Sequence, residues 1–186
     1  GTEILDGAQE VLGGAGMIPM FGAVPDLINS GVYGARSAFA GMTGDTEGAK
    51  KFGTQCIVAS IDALRIDNKY EVFIKSGSLA TGLDPIKWAK ELESRGAGEI
   101  LINSILHEGN LNGYDIELIN SISESVSIPV IAAGGASCLN DFVDAIKLGG
   151  ASAVGAGSIF HYTKHTPNMV KGALRDNEIP VRMYDD

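Results

Sequence analysis

The spacing of hydrophobic residues changes near residue 50. Before it, apolar residues recur at helical spacing in two stripes, Ile4, Leu5, Ala8, Val11, Leu12 and Ala15, then Leu27, Ile28, Val32, Ala35 and Phe39. Glycines and Pro19 end the first stripe, and Pro25 suits the first turn of a second helix. We therefore predict a helical hairpin over residues 1–40. The polar, glycine-rich stretch 41–50 predicts a linker.

From residue 51 to residue 186, short apolar runs alternate with helical patterns. The runs predict strands over 56–61, 99–103, 128–132 and 151–154, and a small hairpin, 64–66 with 70–74, around Asp67-Asn68. Helices are predicted from 85 to about 95 and over 115–124, 140–148 and 166–176. Asp84 is expected to cap the first of these, with Pro85 at its first position. This alternation predicts an α/β fold with a parallel sheet.

The composition limits which partners and which cellular location we expect for this protein. The 186 residues allow one domain, or one domain with an appendage, and the formal charge of −9 argues against a nucleic-acid-binding surface. Cys56 and Cys138 are too few for a disulfide framework, so we expect two buried reduced thiols. The apolar stretch 11–24 is too short to cross a membrane, and the acidic start lacks a basic leader segment. We expect a cytoplasmic protein that does not bind membranes.

Two glycine-rich turns carry the candidate chemistry. Each follows a predicted strand and precedes a predicted helix, so their backbone N–H groups are expected to converge on one point and hold a phosphate. The candidate phosphate-binding residues are Gly134, Gly135, Ala136 and Ser137 in the first turn, and Ala156, Gly157 and Ser158 in the second. Alternatively, the small residues there only allow strands and helices to pack closely.

The motifs from residue 52 to 182 resemble one known family. They are Phe-Gly-Thr-Gln-Cys (52–56), Ser-Ile-Asp-Ala (60–63), Thr-Gly (81–82), Arg-Gly-Ala-Gly-Glu-Ile-Leu (95–101), Gly-Tyr-Asp (113–115), Ile-Pro-Val-Ile-Ala-Ala-Gly-Gly-Ala (128–136), Gly-Ser-Ile-Phe-His (157–161) and Ile-Pro-Val-Arg (179–182). In this order they resemble the C-terminal half of the cyclase subunit of imidazole glycerol phosphate synthase, a (βα)8-barrel enzyme of histidine biosynthesis. The resemblance covers strands five to eight and implies a (βα)4 half-barrel over 51–186; residues 1–50 do not share it.

The resemblance also implies functional residues and partners. Asp62 matches the catalytic aspartate on strand five, and the two glycine turns match the loops that bind one substrate phosphate. The family joins ammonia from a glutaminase partner to a phosphorylated precursor, with ring closure and bond cleavage. We expect no cofactor and no metal in this chain. The alternative for Asp62 is a carboxylate that caps the following turn. His107, His161 and His165 are too dispersed for a metal site.

Several departures bear on activity. Leu106 stands where the family has a functional aspartate, and Ala80 replaces an asparagine. The family's second catalytic aspartate and second phosphate site belong to the unmatched half of the barrel. We therefore expect weak or absent turnover by the chain alone. The alternative is a non-catalytic structural or protein-interaction module derived from the half-barrel.

A four-unit half-barrel cannot close on itself. It would leave two strand edges and one concave apolar face in water. A homodimer, a separate complementing half-barrel, or the N-terminal hairpin could cover them. In a homodimer the two copies of Asp62 would face each other, which would restore a pair of aspartates.

Overall fold

The computed structural model describes Ala49 and residues 53–182. The predicted helical hairpin and nearly all of the predicted linker lie outside these residues. The described chain begins with a short 3-10 helix, Thr54–Cys56. Strand–helix units then follow, as the alternating pattern predicts.

The core of the fold is a mixed sheet with helices on one side. Its strands are β1 (Val58–Ile66), β2 (Lys69–Ile74), β3 (Leu79–Ala80), β4 (Glu99–Ser104), β5 (Val130–Ala133) and β6 (Ala153–Val154). Its α-helices are α1 (Pro85–Ser94), α2 (Ile116–Ser123), α3 (Leu139–Lys147), α4 (Ser158–Tyr162) and α5 (Pro167–Asp176). The strand order is β3-β2-β1-β4-β5-β6. Neighbours among β1, β4, β5 and β6 pair in parallel, whereas β2 and β3 are antiparallel additions beside β1. The α/β class and the parallel half-barrel sheet are confirmed.

The predicted start of α1 is confirmed, and the starts predicted for α2, α3 and α5 lie within one residue of the observed ones. Asp84 accepts from the backbone N–H groups of Ile86 and Lys87, and Pro85 opens α1. Thr166 caps α5 in the same way, with Pro167 following it. A side-chain acceptor at the N-cap satisfies N–H groups that the helix itself leaves unpaired, so short sequence motifs fix these boundaries.

The first strand differs from its prediction. It was expected to end before Asp62, but β1 runs through Asp62 to Ile66 because β2 folds back and pairs with it from Asp62 onward. The hairpin turn lies at Asp67-Asn68, as predicted, and both residues have positive φ. Helix α1 therefore follows a hairpin rather than β1 directly. Neither the 3-10 helix nor the short α4 was predicted.

Alternation along the strands gives the sheet two different sides. Ala59, Ile61 and Ala63 of β1 are buried in the hydrophobic core with Ile100 and Ile102 of β4. The other side, called here the inner face, carries Val58, Ser60, Asp62, Glu99, Leu101, Asn103, Ile131, Ala133 and Ala153, which the strand register aligns. Val58 is 42% exposed there. In the described part of the chain, the helices pack on the core side.

Two further expectations concern the surface. Cys56 and Cys138 are both exposed, so the prediction of buried thiols is wrong: Cys56 lies in the 3-10 helix before β1, and Cys138 lies at the start of α3. Within residues 53–182, no helix is both long and apolar enough to cross a membrane.

Candidate anion site

The two glycine turns leave the sheet side by side. Asp62 of β1 is in register with Asn103 of β4, and Asn103 with Ala133 of β5. Because β5 and β6 are also paired in parallel, the turns that follow them start from the same edge of the sheet. Parallel neighbours lie about 4.8 Å apart, so the two turns are adjacent. The structure thus brings the candidate phosphate residues together with Asp62.

The first turn requires its two glycines. Gly134 and Gly135 have φ of 87° and 103°, a region that side chains rarely tolerate. A Cβ at Gly134 would lie 2.5 Å from Asn103 Oδ1, and one at Gly135 would lie 2.2 Å from the carbonyl oxygen of Gly113. The glycines therefore allow both a backbone conformation and a close approach that alanine would not.

Six amides in the two turns have no hydrogen-bond acceptor among the described residues. They are the backbone N–H groups of Gly134, Gly135, Ala136, Ala156, Gly157 and Ser158. Ala136 is only 4% exposed, so little of this residue reaches water. Buried backbone donors are nearly always paired in folded proteins. A group of unpaired amides at adjacent turns has the donor chemistry that an anion needs.

Ser137 differs from its neighbours in the first turn. Its backbone N–H and its hydroxyl both donate to Asp141 Oδ2, each at 2.7 Å, and Cys138 N–H donates to the same oxygen. Burial alone would raise the pKa of Asp141, but the hydrogen bonds from Ser137 and Cys138 outweigh it and hold the pKa below its ordinary value. The donors of Ser137 are therefore already engaged by a carboxylate.

Asp62 lies inside β1 on the inner face. Its Oδ1 accepts from Asn103 Nδ2 at 3.1 Å, and its side chain is partly buried. Because β1 continues for four residues beyond it, Asp62 does not cap a following turn. That alternative is wrong, and the carboxylate is held instead by Asn103 on the inner face.

A second carboxylate at this place was missed by the sequence analysis. A Cβ at Gly134 would lie 3.1 Å from Glu108 Oε2, so Glu108 reaches over the first turn. Burial and, after it, the negative charge of Asp62 raise the pKa of Glu108 above its ordinary value. Leu106, the position singled out for a lost carboxylate, is 48% exposed. The available signal was an acidic residue two positions later in the same strand-end loop.

Asn103 joins these groups. Its amide nitrogen donates to Asp62, whereas its buried Oδ1 has no partner among the described atoms. A Cβ built on Gly134 would lie 2.5 Å from that oxygen, so the unpartnered Asn103 Oδ1 borders the first turn.

The dipeptide Gly113-Tyr114 touches both turns. Gly113 N–H donates to the carbonyl of Gly135 at 2.9 Å, and Tyr114 OH donates to the carbonyl of Gly155 at 2.9 Å. Burial, together with the charges of Asp141 and Glu108, raises the pKa of Tyr114, so its hydroxyl stays protonated and remains a donor. From the sequence, Gly-Tyr-Asp (113–115) was recognisable only as a family motif, without this role.

The histidines are held locally. His107 Nδ1 lies 2.7 Å from the carbonyl oxygen of Gly113, and His165 Nδ1 lies 2.8 Å from Thr163 Oγ1, while His161 is exposed. In the part of the chain that is described, no three His, Cys, Asp or Glu side chains cluster in a way that could hold a metal ion.

Comparison with known proteins shows the family to which the chain belongs. The family model described as "Histidine biosynthesis protein" matches residues 35–166. The chain is 49% identical over 138 residues to "Imidazole glycerol phosphate synthase subunit HisF" of Hydrogenobaculum sp. (strain Y04AAS1). The match covers 74% of this chain but 55% of that relative, so the chain spans about half of its length. The resemblance to the cyclase subunit is thereby confirmed, and the chain belongs to the histidine biosynthesis protein family.

Proposed function

We propose that residues 51–186 form a phosphate-binding half-barrel related to the cyclase subunit of imidazole glycerol phosphate synthase. Its ligand is inorganic phosphate or the phosphate group of a small molecule. The amides of Gly134, Gly135 and Ala136 in one turn, and of Ala156, Gly157 and Ser158 in the other, donate to it. The observation that carries the proposal is that these six adjacent amides have no acceptor among the described residues.

Backbone amides suit a protein of net charge −9. They attract an anion at hydrogen-bond range, while the distant carboxylates of the surface are screened by salt beyond about 10 Å. Two acidic groups at the first turn oppose an anion: Asp141, which accepts from Ser137, and Glu108. The raised pKa of Glu108 favours its neutral form, which repels an anion less. Because the donors are neutral, we expect binding to be moderate in strength.

Turnover by the chain alone is expected to be weak or absent. If it occurs, the reaction is the ammonia-dependent ring closure of the cyclase, a lyase-type step, with Asp62 as the acid–base group. Asp62 and Glu108 lie at the same strand edge as the proposed phosphate site, which is where barrel enzymes carry their catalytic groups. A second copy or a complementing half-barrel would supply the remaining groups, and a glutaminase would supply the ammonia. The same proposal places the protein in the cytoplasm.

Phosphate titration of the ¹⁵N-labelled full chain tests the binding proposal. Millimolar phosphate is expected to shift the six turn amides, whereas chloride at equal ionic strength is not. Ser158→Pro removes one amide donor at the first position of α4, where proline is tolerated, and Ser158→Ala removes only the hydroxyl. We expect proline to weaken binding more than alanine. If phosphate does not shift the resonances of these turn amides in the unmodified chain, the proposal is contradicted.

A second candidate is a non-catalytic structural or protein-interaction module. The engagement of both Ser137 donors by Asp141 favours it, because part of the first turn is already satisfied without a ligand. The partly exposed inner face, with Val58 at its start, also favours it. The phosphate titration separates the two candidates, since this one predicts no shifts confined to the turns.

A further inference from the structure

We infer that Tyr114 is a positioning residue for the anion site: its hydroxyl turns the peptide after Gly155 so that the amide of Ala156 is free to bind the ligand. This inference rests on the proposed phosphate binding. It names a residue that does not touch the ligand but sets the direction of a donor that does.

The geometry of the peptide group fixes the direction of the Ala156 amide. In a trans peptide the C=O of one residue and the N–H of the next point in opposite directions. Tyr114 OH donates to the carbonyl of Gly155 at 2.9 Å. The N–H of Ala156 must therefore point away from Tyr114, and it has no acceptor among residues 53–182.

The neighbouring turn is held in the same way. Gly113 N–H donates to the carbonyl of Gly135, which turns the N–H of Ala136 away from Gly113. His107 Nδ1 in turn lies against the carbonyl of Gly113 at 2.7 Å. Gly113 and Tyr114 thus each bind the carbonyl group of one turn. The N–H groups of Ala136 and Ala156 therefore both point away from this dipeptide. The two turns are oriented together although they come from different strands.

The tyrosine is itself fixed in place. It is 5% exposed, and its ring meets Phe142 edge-on with the centroids 5.7 Å apart. Phe142 also stacks on Phe160 of α4, the helix that begins at the second turn. A phenylalanine at position 114 would keep these ring contacts and lose only the hydrogen bond to Gly155.

The test compares Tyr114→Phe with the unmodified chain in the phosphate titration. Losing one neutral hydrogen bond that orients a donor is expected to weaken phosphate binding roughly fivefold. The phosphate-induced shifts of Ala156, Gly157 and Ser158 should shrink, while those of the first turn persist. If Tyr114 only stabilised the fold, Tyr114→Phe would not reduce the phosphate-induced shifts of one turn selectively. Tyr162→Phe is the matched control, because Tyr162 is 79% exposed on α4.

The outcomes separate this inference from the proposed function. If the unmodified chain binds phosphate and Tyr114→Phe binds equally well, the inference is overturned and the binding proposal stands. If the unmodified chain shows no shifts, both fail. If Tyr114→Phe does not fold, the Tyr114 hydroxyl proton of the unmodified chain is followed during titration. A shift of that proton at saturating phosphate supports the inference, and an unchanged resonance beside shifted turn amides overturns it.

Discussion

Glu108 shows how a single side chain changes the chemistry expected of the site. Its carboxyl group is partly removed from water and lies near the charged Asp62, so its neutral form is favoured at a pH where an exposed glutamate is ionised. A carboxyl group with a raised pKa beside a second carboxyl group at one strand edge is an arrangement suited to acid–base chemistry. One chain therefore carries two carboxyl groups at this edge, whereas only Asp62 was expected from the sequence.

Removing the charge of Asp62 should lower the pKa of Glu108. In Asp62→Asn, the new side chain still has an oxygen that can accept from Asn103 Nδ2. The substitution removes the negative charge that disfavours ionised Glu108. The pKa of Glu108, followed by carboxyl ¹³C shifts, should then fall toward its ordinary value without reaching it, because burial remains. Asp144→Asn on α3 is the control and should leave the pKa unchanged. An unaltered Glu108 pKa in Asp62→Asn would refute the proximity of the two carboxyl groups.

At the scale of elements, the start of α3 is stabilised by its own third residue. Asp141 accepts hydrogen bonds from Ser137 and Cys138, and its negative charge lies at the positive end of the helix. The same interaction holds the end of the first glycine turn against α3. The stability of this helix and the shape of the proposed binding turn are therefore linked.

Asp141→Ala should lower the free energy of unfolding by about 1 kcal/mol at pH 7, as the loss of a helix cap usually does. Because the pKa of Asp141 is lower in the folded chain than in the unfolded chain, its contribution is present above the ordinary value of 3.8 and is lost as the pH falls through the folded-state pKa. The difference between Asp141→Ala and the unmodified chain should thus shrink by pH 3.

Urea unfolding at pH 7 and at pH 3 measures this difference. Asp176→Ala serves as the control, since Asp176 is exposed at the end of α5 and should change stability by less than about 0.5 kcal/mol. Equal destabilisation by Asp141→Ala at both pH values would show that the carboxylate charge contributes nothing.

The same scale shows which elements a sequence can predict. The starts of α1 and α5 follow from Asp84-Pro85 and Thr166-Pro167, since a cap is an interaction between residues two or three positions apart. The extension of β1 through Asp62 depends on pairing with β2, and the position of Glu108 depends on the first turn after β5. These contacts join distant parts of the chain, so spacing alone does not reveal them. The positive φ of Gly134 and Gly135 is a local demand that glycine in a sequence can indicate, whereas their close approach to Asn103 and Gly113 joins distant parts of the chain.

At the scale of the molecule, the two sides of the sheet differ in burial. The helices cover Ile61, Ile100 and Ile102, whereas Val58, Ser60 and Ala153 on the inner face remain exposed within the described residues. The inner face also carries Asp62 and Asn103 at the edge that holds the turns. A partner that covers this face would therefore both bury apolar surface and enclose the proposed site.

Light scattering should show whether a second copy of the chain is that partner. We expect a species of about twice the 19.4 kDa chain mass. Val58→Glu should dissociate it, because a carboxylate beside Glu99 on a buried interface loses its hydration and is repelled by that neighbour. Leu148→Glu is the matched control: Leu148 is 60% exposed just beyond α3, away from the inner face, and its replacement should leave the dimer intact. An unmodified chain that stays monomeric at high concentration would exclude the second copy and leave residues 1–50 or a different chain to cover the inner face.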